Sequence, residues 1–309
     1  MAEVRSLQCK DGHTLYYRVW SPDTDTPVIA VLHILHGMAE YGERYAAFAK
    51  QLNDKGIVVY CQDHRGHGLT ATMNHEQLGF LAPENGWQKI ADDSFELDQV
   101  ITNDYPKVPL FLMGHSMGSF LARTVMVQHS ELFSGVIIMG TGCSKGMLGK
   151  IGKMIAESHI KKNGADFVDK GLDKLSFGSY LKKIPDRETS FDWLSRDGEQ
   201  VRKYVDDPLC GFTCTASFYR DLLDGVAYAN NEKNVAKLPK DLPLLIISGS
   251  MDPVGDWGKG VRKVYDLYKE NGFSDIQLVM VDGARHELLN ETDRKKTMNL
   301  LQKWIIDRI

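Results

Sequence analysis

Six short runs of β-branched and aliphatic residues recur along the chain with almost no polar interruption, at 28–35, 57–60, 109–113, 136–139, 244–247 and 276–281. Such runs read as strands covered on both faces, because a strand with one wet face would alternate apolar and polar residues. Between them lie stretches with helical periodicity: 45–52, 90–101, 120–129, 261–268 and 298–309. Parallel strands need long crossovers, and helices supply these while covering both faces of the sheet. The expected fold is therefore α/β, a mostly parallel central sheet with flanking helices. Residues 6–10 and 13–20 flank Asp11-Gly12, a tight-turn pair, and predict an N-terminal antiparallel hairpin.

One interval breaks this rhythm. From Cys143 to Asn234 no strand-like run occurs, and short helical stretches alternate with Gly, Pro and Asp turns. This predicts a helical cap, 143–234, inserted into a core made of 1–142 and 235–309. Its first half, 143–184, carries nine Lys and four acids, interleaved with Met147, Leu148, Ile151 and Met154. That pattern is either a solvated helix face or a surface for peripheral contact with an anionic membrane.

Composition removes several classes. With 309 residues, 43% apolar, the chain has material for a sizeable core, in one large domain with an insertion or in two units. Thirty-seven basic against 41 acidic residues give a net charge of −4, so no positive field exists to attract nucleic acid. The five cysteines are scattered. Cys210 and Cys214 sit at helical spacing, which predicts packing, and the whole set predicts a reducing, cytoplasmic setting. The first twelve residues alternate charged and apolar types and lack a secretory core, and no stretch reaches the roughly 18 apolar residues of a spanning helix.

The run at 109–113 leads into Gly114-His115-Ser116-Met117-Gly118, followed by a helical stretch. A Gly-x-Ser-x-Gly pentapeptide is weak evidence alone, but at a strand-to-helix turn it presents an exposed serine at the carboxyl edge of the sheet. A serine hydroxyl needs an imidazole to take its proton and a carboxylate to orient that imidazole. Asp252 follows the run at 244–247, with Asp256 as a nearby competitor, and His286 follows the run at 276–281. The chain order Ser116, Asp252, His286 is the one that such triads follow on this fold. Two backbone donors must face the developing oxyanion, and the amides of Met38 and Met117 are the candidates. His64 and His67 beside Asp63 have metal-like spacing, yet the neighbouring glycines read as a tight loop with no third ligand, so no metal or cofactor is expected.

The segments His36-Gly37-Met38-Ala39-Glu40 with Arg44-Tyr45, Asp63-His64-Arg65-Gly66-His67-Gly68, Gly114–Gly118, Ser250-Met251-Asp252 and His286 together resemble the monoacylglycerol lipase and lysophospholipase group of α/β-hydrolases, also labelled serine aminopeptidase S33. The resemblance implies a helical cap over an apolar acyl channel and metal-free hydrolysis of a small single-chain lipid ester. It marks Glu40, Arg44 and His115 as substrate-binding candidates. Glu40 and Arg44, four residues apart, equally suit an ion pair. The rival readings are a peptidase or amidase, with Asp206 and Asp207 as amine partners, a short-chain carboxylesterase, and a non-catalytic ligand receptor on the same fold. Oligomeric state is not legible.

Overall fold

The six apolar runs become six adjacent strands of one eight-stranded sheet, five inside it and the last at its edge. The computed structural model describes residues 2–185 and 187–309. The strands are β1 (Glu3–Gln8), β2 (Thr14–Trp20), β3 (Ala30–Leu35), β4 (Ile57–Gln62), β5 (Leu110–His115), β6 (Gly135–Met139), β7 (Leu244–Gly249) and β8 (Ile276–Val281). Their order is β1-β2-β4-β3-β5-β6-β7-β8, with β1, β2 and β4 joined antiparallel and every later pair parallel. Every residue of β3 to β7 is buried, the condition that their unbroken apolar character anticipates. Strand β8 closes the edge and is half-exposed.

The helices are α1 (Ala46–Asn53), α2 (Gly68–Asn74), α3 (Gly86–Asp104), α4 (Met117–His129), α5 (Met147–Asn163), α6 (Lys170–Phe177), α7 (Gly198–Asp206), α8 (Ala216–Ala229), α9 (Glu232–Val235), α10 (Lys259–Glu270) and α11 (Arg294–Ile306). Phe48, Leu52, Leu301 and Trp304 of α1 and α11 pack on one face of the sheet, over Leu32, Ile34 and Phe111. Ile90, Leu97, Leu121, Val125 and Val264 of α3, α4 and α10 pack on the other, over Val31, Leu112 and Ile246.

Two local expectations differ from the structure. The hairpin pairs Gln8 with Thr14, so its loop is five residues rather than a two-residue turn. The Cys9 amide donates to the His13 carbonyl at 2.8 Å and Gly12 takes φ +88°, which closes the wider loop. Cys210 and Cys214 lie outside any helix, although both are buried. Helix α2 has no counterpart in the periodicity, since Gly68 and two threonines make it a poor helix former by propensity.

Between β6 and β7 the chain is helical, with one isolated bridge between Val168 and Thr215. Helix α8 fastens this stretch to the core. Gly225 lies so close to Trp87 that a Cβ there would stand 2.0 Å from the indole. Arg123 of α4, fully buried, donates to the Ala229 carbonyl at 2.6 Å, to Asn230 Oδ1 at 3.1 Å and to the Tyr268 hydroxyl at 3.1 Å. Among the described residues no helix is long and apolar enough to cross a membrane.

Candidate active site

Strand β5 ends at His115, and Ser116 caps helix α4 with φ +53° and ψ −119°, a conformation that a side-chain-bearing residue adopts only under strain. The flanking glycines make this turn possible by close approach. A Cβ on Gly118 would stand 2.0 Å from the Leu35 carbonyl, and one on Gly114 the same distance from the Gly118 carbonyl. The turn is held by Ser116 N–H donating to the Met139 carbonyl at 3.0 Å and by Ser119 Oγ donating to the Ser116 carbonyl at 2.6 Å.

Asp252 lies beyond the end of β7 and is fully buried, whereas its competitor Asp256 is exposed. Its Oδ1 accepts the Val254 amide at 2.8 Å, and its Oδ2 accepts from Ser248 Oγ at 3.2 Å and from His286 Nδ1 at 2.9 Å. A proton on Nδ1 leaves Nε2 as the basic nitrogen of His286. The imidazole packs against the His115 ring, centroids 4.7 Å apart, and against the Trp193 ring at 5.1 Å. Its Cε1 is 3.1 Å from where a Cβ of Gly140 would stand, next to the Met139 carbonyl that holds the Ser116 amide. Asp252 and His286 are thus brought together beside the serine turn. No hydrogen bond joins His286 Nε2 to Ser116 Oγ among the described residues. Hydrogen bonds of this kind are often long in ligand-free enzymes and tighten with substrate.

The loop after β3 runs beside the serine: a Cβ on Gly37 would lie 3.1 Å from Ser116 Cβ. Two neutral histidines fix this loop, and a third, His67, packs against His36 with ring centroids 5.3 Å apart. His36 Nδ1 donates to the Gly37 carbonyl at 2.7 Å, and its Nε2 accepts the His64 amide at 3.0 Å. His64 Nε2 donates to the His36 carbonyl at 3.1 Å while its Nδ1 accepts from Gln62 at 3.1 Å. Burial lowers the pKa of all three rings, His67 to about 3, so they stay uncharged. The lone pairs of His36 and His64 are therefore occupied by protein donors. The Met117 amide opens helix α4, where the helix has no internal acceptor for it, and the Met38 amide donates to no group among the described residues.

Glu40, Arg44 and His115 lie behind this loop rather than in the open. Glu40 is 3% exposed, and both its oxygens are engaged: Oε1 accepts from Gly37 N, Tyr45 OH and His115 Nδ1, and Oε2 accepts from Arg44 at 2.7 Å. The ion pair with Arg44 is formed. Burial alone would raise the Glu40 carboxyl, but His115 and Arg44 hold it well below the usual carboxylate range.

Residues 26–293 match the family described as Hydrolase_4: serine aminopeptidase, S33. The chain belongs to this family. The hydrolase is 28% identical over 302 residues to the monoglyceride lipase of Mus musculus, covering 97% of this chain and 89% of that one. It is 27% identical over 301 residues to the monoacylglycerol lipase of Mycolicibacterium smegmatis, covering 96% and 95%. Among solved structures, a thermostable carboxyl esterase from Bacillus coagulans in complex with glycerol superposes with a TM-score of 0.91 at 25% identity, covering 99% and 98%. The fold is thus that of the α/β-hydrolases, as the sequence resemblance implies.

Some residues around the hydrolase site carry no local sequence signal. Trp193, Tyr180 and Phe177 come from the helical stretch and form an aromatic cluster over His286, Tyr180 meeting Trp193 edge-on at 5.0 Å. Burial and the nearby Asp252 charge push the Tyr180 phenol up. Arg285 Nη1 donates to the carbonyls of Asp192 at 2.6 Å and Ser195 at 2.9 Å, and Glu287 N donates to the Leu194 carbonyl at 2.7 Å. The residues on both sides of His286 are therefore tied to segment 192–195, a contact across about 90 residues of chain that spacing does not encode.

Proposed function

We propose that this hydrolase cleaves single-chain lipid esters of the monoacylglycerol type through an acyl-enzyme on Ser116. The observation that carries the reading is the 2.9 Å hydrogen bond from His286 Nδ1 to Asp252, formed beside a strained serine turn at the carboxyl end of a parallel sheet. His286 Nε2 takes the Ser116 proton as Oγ bonds to the ester carbonyl carbon. The oxyanion is met by the amides of Met38 and Met117, each such donor being worth about 3 kcal/mol of transition-state stabilisation. The carbon–oxygen bond to the alcohol breaks, and the alcohol leaves with the proton from His286. Water then gives its proton to the same imidazole and attacks the acyl carbon; the bond from that carbon to Oγ breaks, His286 returns the proton to Oγ, and the fatty acid leaves. Asp252 keeps the imidazole in one tautomer and stabilises its charged form.

The substrate class rests on the relatives named lipases and on the apolar and aromatic side chains near His286. An aminopeptidase would need a carboxylate free to hold an amine, but Asp207 already accepts from Tyr41 OH at 2.8 Å and from the Leu209 amide at 2.9 Å, and Asp206 is exposed. The division into a core of 1–142 and 235–309 and a cap of 143–234 goes with this reading. So does contact of the cap with a membrane surface, because Met147, Leu148, Ile151 and Met154 point outward from α5. The five free cysteines suit a reducing cytoplasm.

The deciding experiment is Ser116→Ala. The variant should fold as wild type, lose hydrolysis of monoacylglycerols by about ten-thousandfold or more, and fail to react with a fluorophosphonate probe. Labelling retained at another serine would refute the assignment. Parallel assays of monoacylglycerols, lysophospholipids and aminoacyl amides should rank the first highest.

A further inference from the structure

Three separate loops carry the groups assigned above to the nucleophile, the base and the oxyanion donor, and each also carries a charged residue close by. His115 precedes Ser116, Glu287 follows His286, and Glu40 lies two residues after Met38. These three side chains meet a fourth, Arg44, behind the site. Arg44 forks onto Glu287 with two bonds of 2.6 Å and reaches Glu40 at 2.7 Å, while its guanidinium lies 4.8 Å over the Tyr204 ring. Glu40 Oε1 accepts from Gly37 N at 2.6 Å and from His115 Nδ1 at 2.9 Å, and His115 Nε2 lies 3.4 Å from the His286 carbonyl. With His115 protonated the quartet holds two positive and two negative charges.

Burying four ionisable groups is an expensive way to gain stability, since well-packed apolar residues commonly serve as well or better. The quartet has a geometric consequence instead. The Gly37 carbonyl is held by His36, and Gly37 N–H is held by Glu40, so both peptide planes flanking Gly37 are fixed. In a trans peptide the next N–H points opposite to the carbonyl, which turns the Met38 amide away from His36. Glu40 thereby sets the Met38 donor, Glu287 sets the chain at His286, and Arg44 joins the two.

We infer that Arg44 is a positioning residue that holds the oxyanion loop and the base loop in register through Glu40 and Glu287, without touching substrate. The inference rests on the triad reading above and deepens it. An arginine suits the task because its planar fork engages one carboxylate bidentately and still reaches another, which a lysine ammonium cannot do.

The test compares full-length wild type with Arg44→Met, Arg44→Lys and Glu40→Gln, each matched for folded fraction by circular dichroism. For p-nitrophenyl butyrate, Arg44→Met should lower kcat about thirtyfold with KM within about threefold, because a misplacement of about 1 Å costs on that scale. An alkylboronic acid, which adds to the serine as a tetrahedral mimic, should lose affinity in the same proportion as kcat. Arg44→Lys should recover part of the loss, and Glu40→Gln, nearly isosteric, should lose about tenfold in kcat with the same split. A kcat within threefold of wild type in folded Arg44→Met and Glu40→Gln would overturn the inference, as would a loss confined to KM. Should Arg44→Met not fold, Glu40→Gln decides alone by the same criteria. Failure of the triad reading is separable, since it would appear as a fluorophosphonate adduct away from Ser116 in wild type.

Discussion

At the scale of single residues the site depends on space as much as on charge. Gly37 is the clearest instance: its φ is not in the left-handed region, so only volume restricts it. A Cβ there would stand 2.7 Å from Glu40 Oε1 and 3.1 Å from Ser116 Cβ, between the carboxylate that holds the loop and the proposed nucleophile. Gly37→Ala should therefore keep the fold but slow fluorophosphonate labelling by about tenfold or more, as expected when reacting groups shift by a fraction of an ångström. An unchanged labelling rate would show that the loop absorbs the methyl without moving either group. The position of Gly37 beside the proposed donor is legible from its place after an apolar run. Its contact with Glu40 is not, because the i+3 return of a side chain onto a loop amide depends on how that loop is held by His36 and His64.

At the scale of elements, helix α5 is the unusual one. Its inward residues, Gly152 and Ala156, are small and pack toward α8, while Met147, Leu148, Ile151 and Met154 are 69%, 69%, 47% and 67% exposed. These four fall on one stripe by helical spacing, so water faces the apolar side. Full burial of such side chains is worth about 1.5–3 kcal/mol each, with the neighbouring lysines adding attraction to anionic lipid. The hydrolase should cosediment with vesicles of phosphatidylcholine and phosphatidylserine, and the variant with serine at all four positions should not. Hydrolysis of soluble p-nitrophenyl butyrate should be equal in both. Equal sedimentation would assign the stripe no role in lipid contact. The basic and apolar interleaving of 143–184 is visible in the sequence, and there it fits a solvated face and a lipid-facing one alike. Which way the apolar stripe points is decided only by α8 taking up the opposite side.

For the molecule as a whole, the buried histidines contribute to the pH dependence of stability, alongside carboxylates such as Glu40 and Asp192 whose pKa values are lowered in the fold. His36, His64 and His67 have lowered pKa values in the fold, chiefly through burial, and His67 falls to about 3 from 6.5. The unfolded chain then binds more protons than the native one between these values, so stability rises with pH through that window and is lost as pH falls through it. His115 has the opposite sign. Burial works against its charge, but Glu40 outweighs this and raises the pKa, so its contribution is full below about 6.5 and is lost as pH rises through the folded value. Thermal midpoints should decline steeply from pH 6.5 toward pH 4 and more gently on the alkaline side, and a midpoint that rises on acidification would contradict the neutral assignment of the three rings.

The sequence by itself determines the alternation of buried strand and covering helix, and with it the sheet, the ends of the strands and the positions of Ser116, Asp252 and His286 at those ends. It does so because strand burial and helix amphipathicity are local patterns that a short window records. The tertiary structure alone brings Asp252 rather than Asp256 against His286, closes Arg44 onto Glu287 across 243 residues, and ties His36 and His64 into the loop by hydrogen bonds. It also buries Glu40 among Gly37, Tyr45, His115 and Arg44. Those outcomes depend on which side chains share the last few cubic ångströms at the carboxyl edge of the sheet, and no spacing along the chain specifies that.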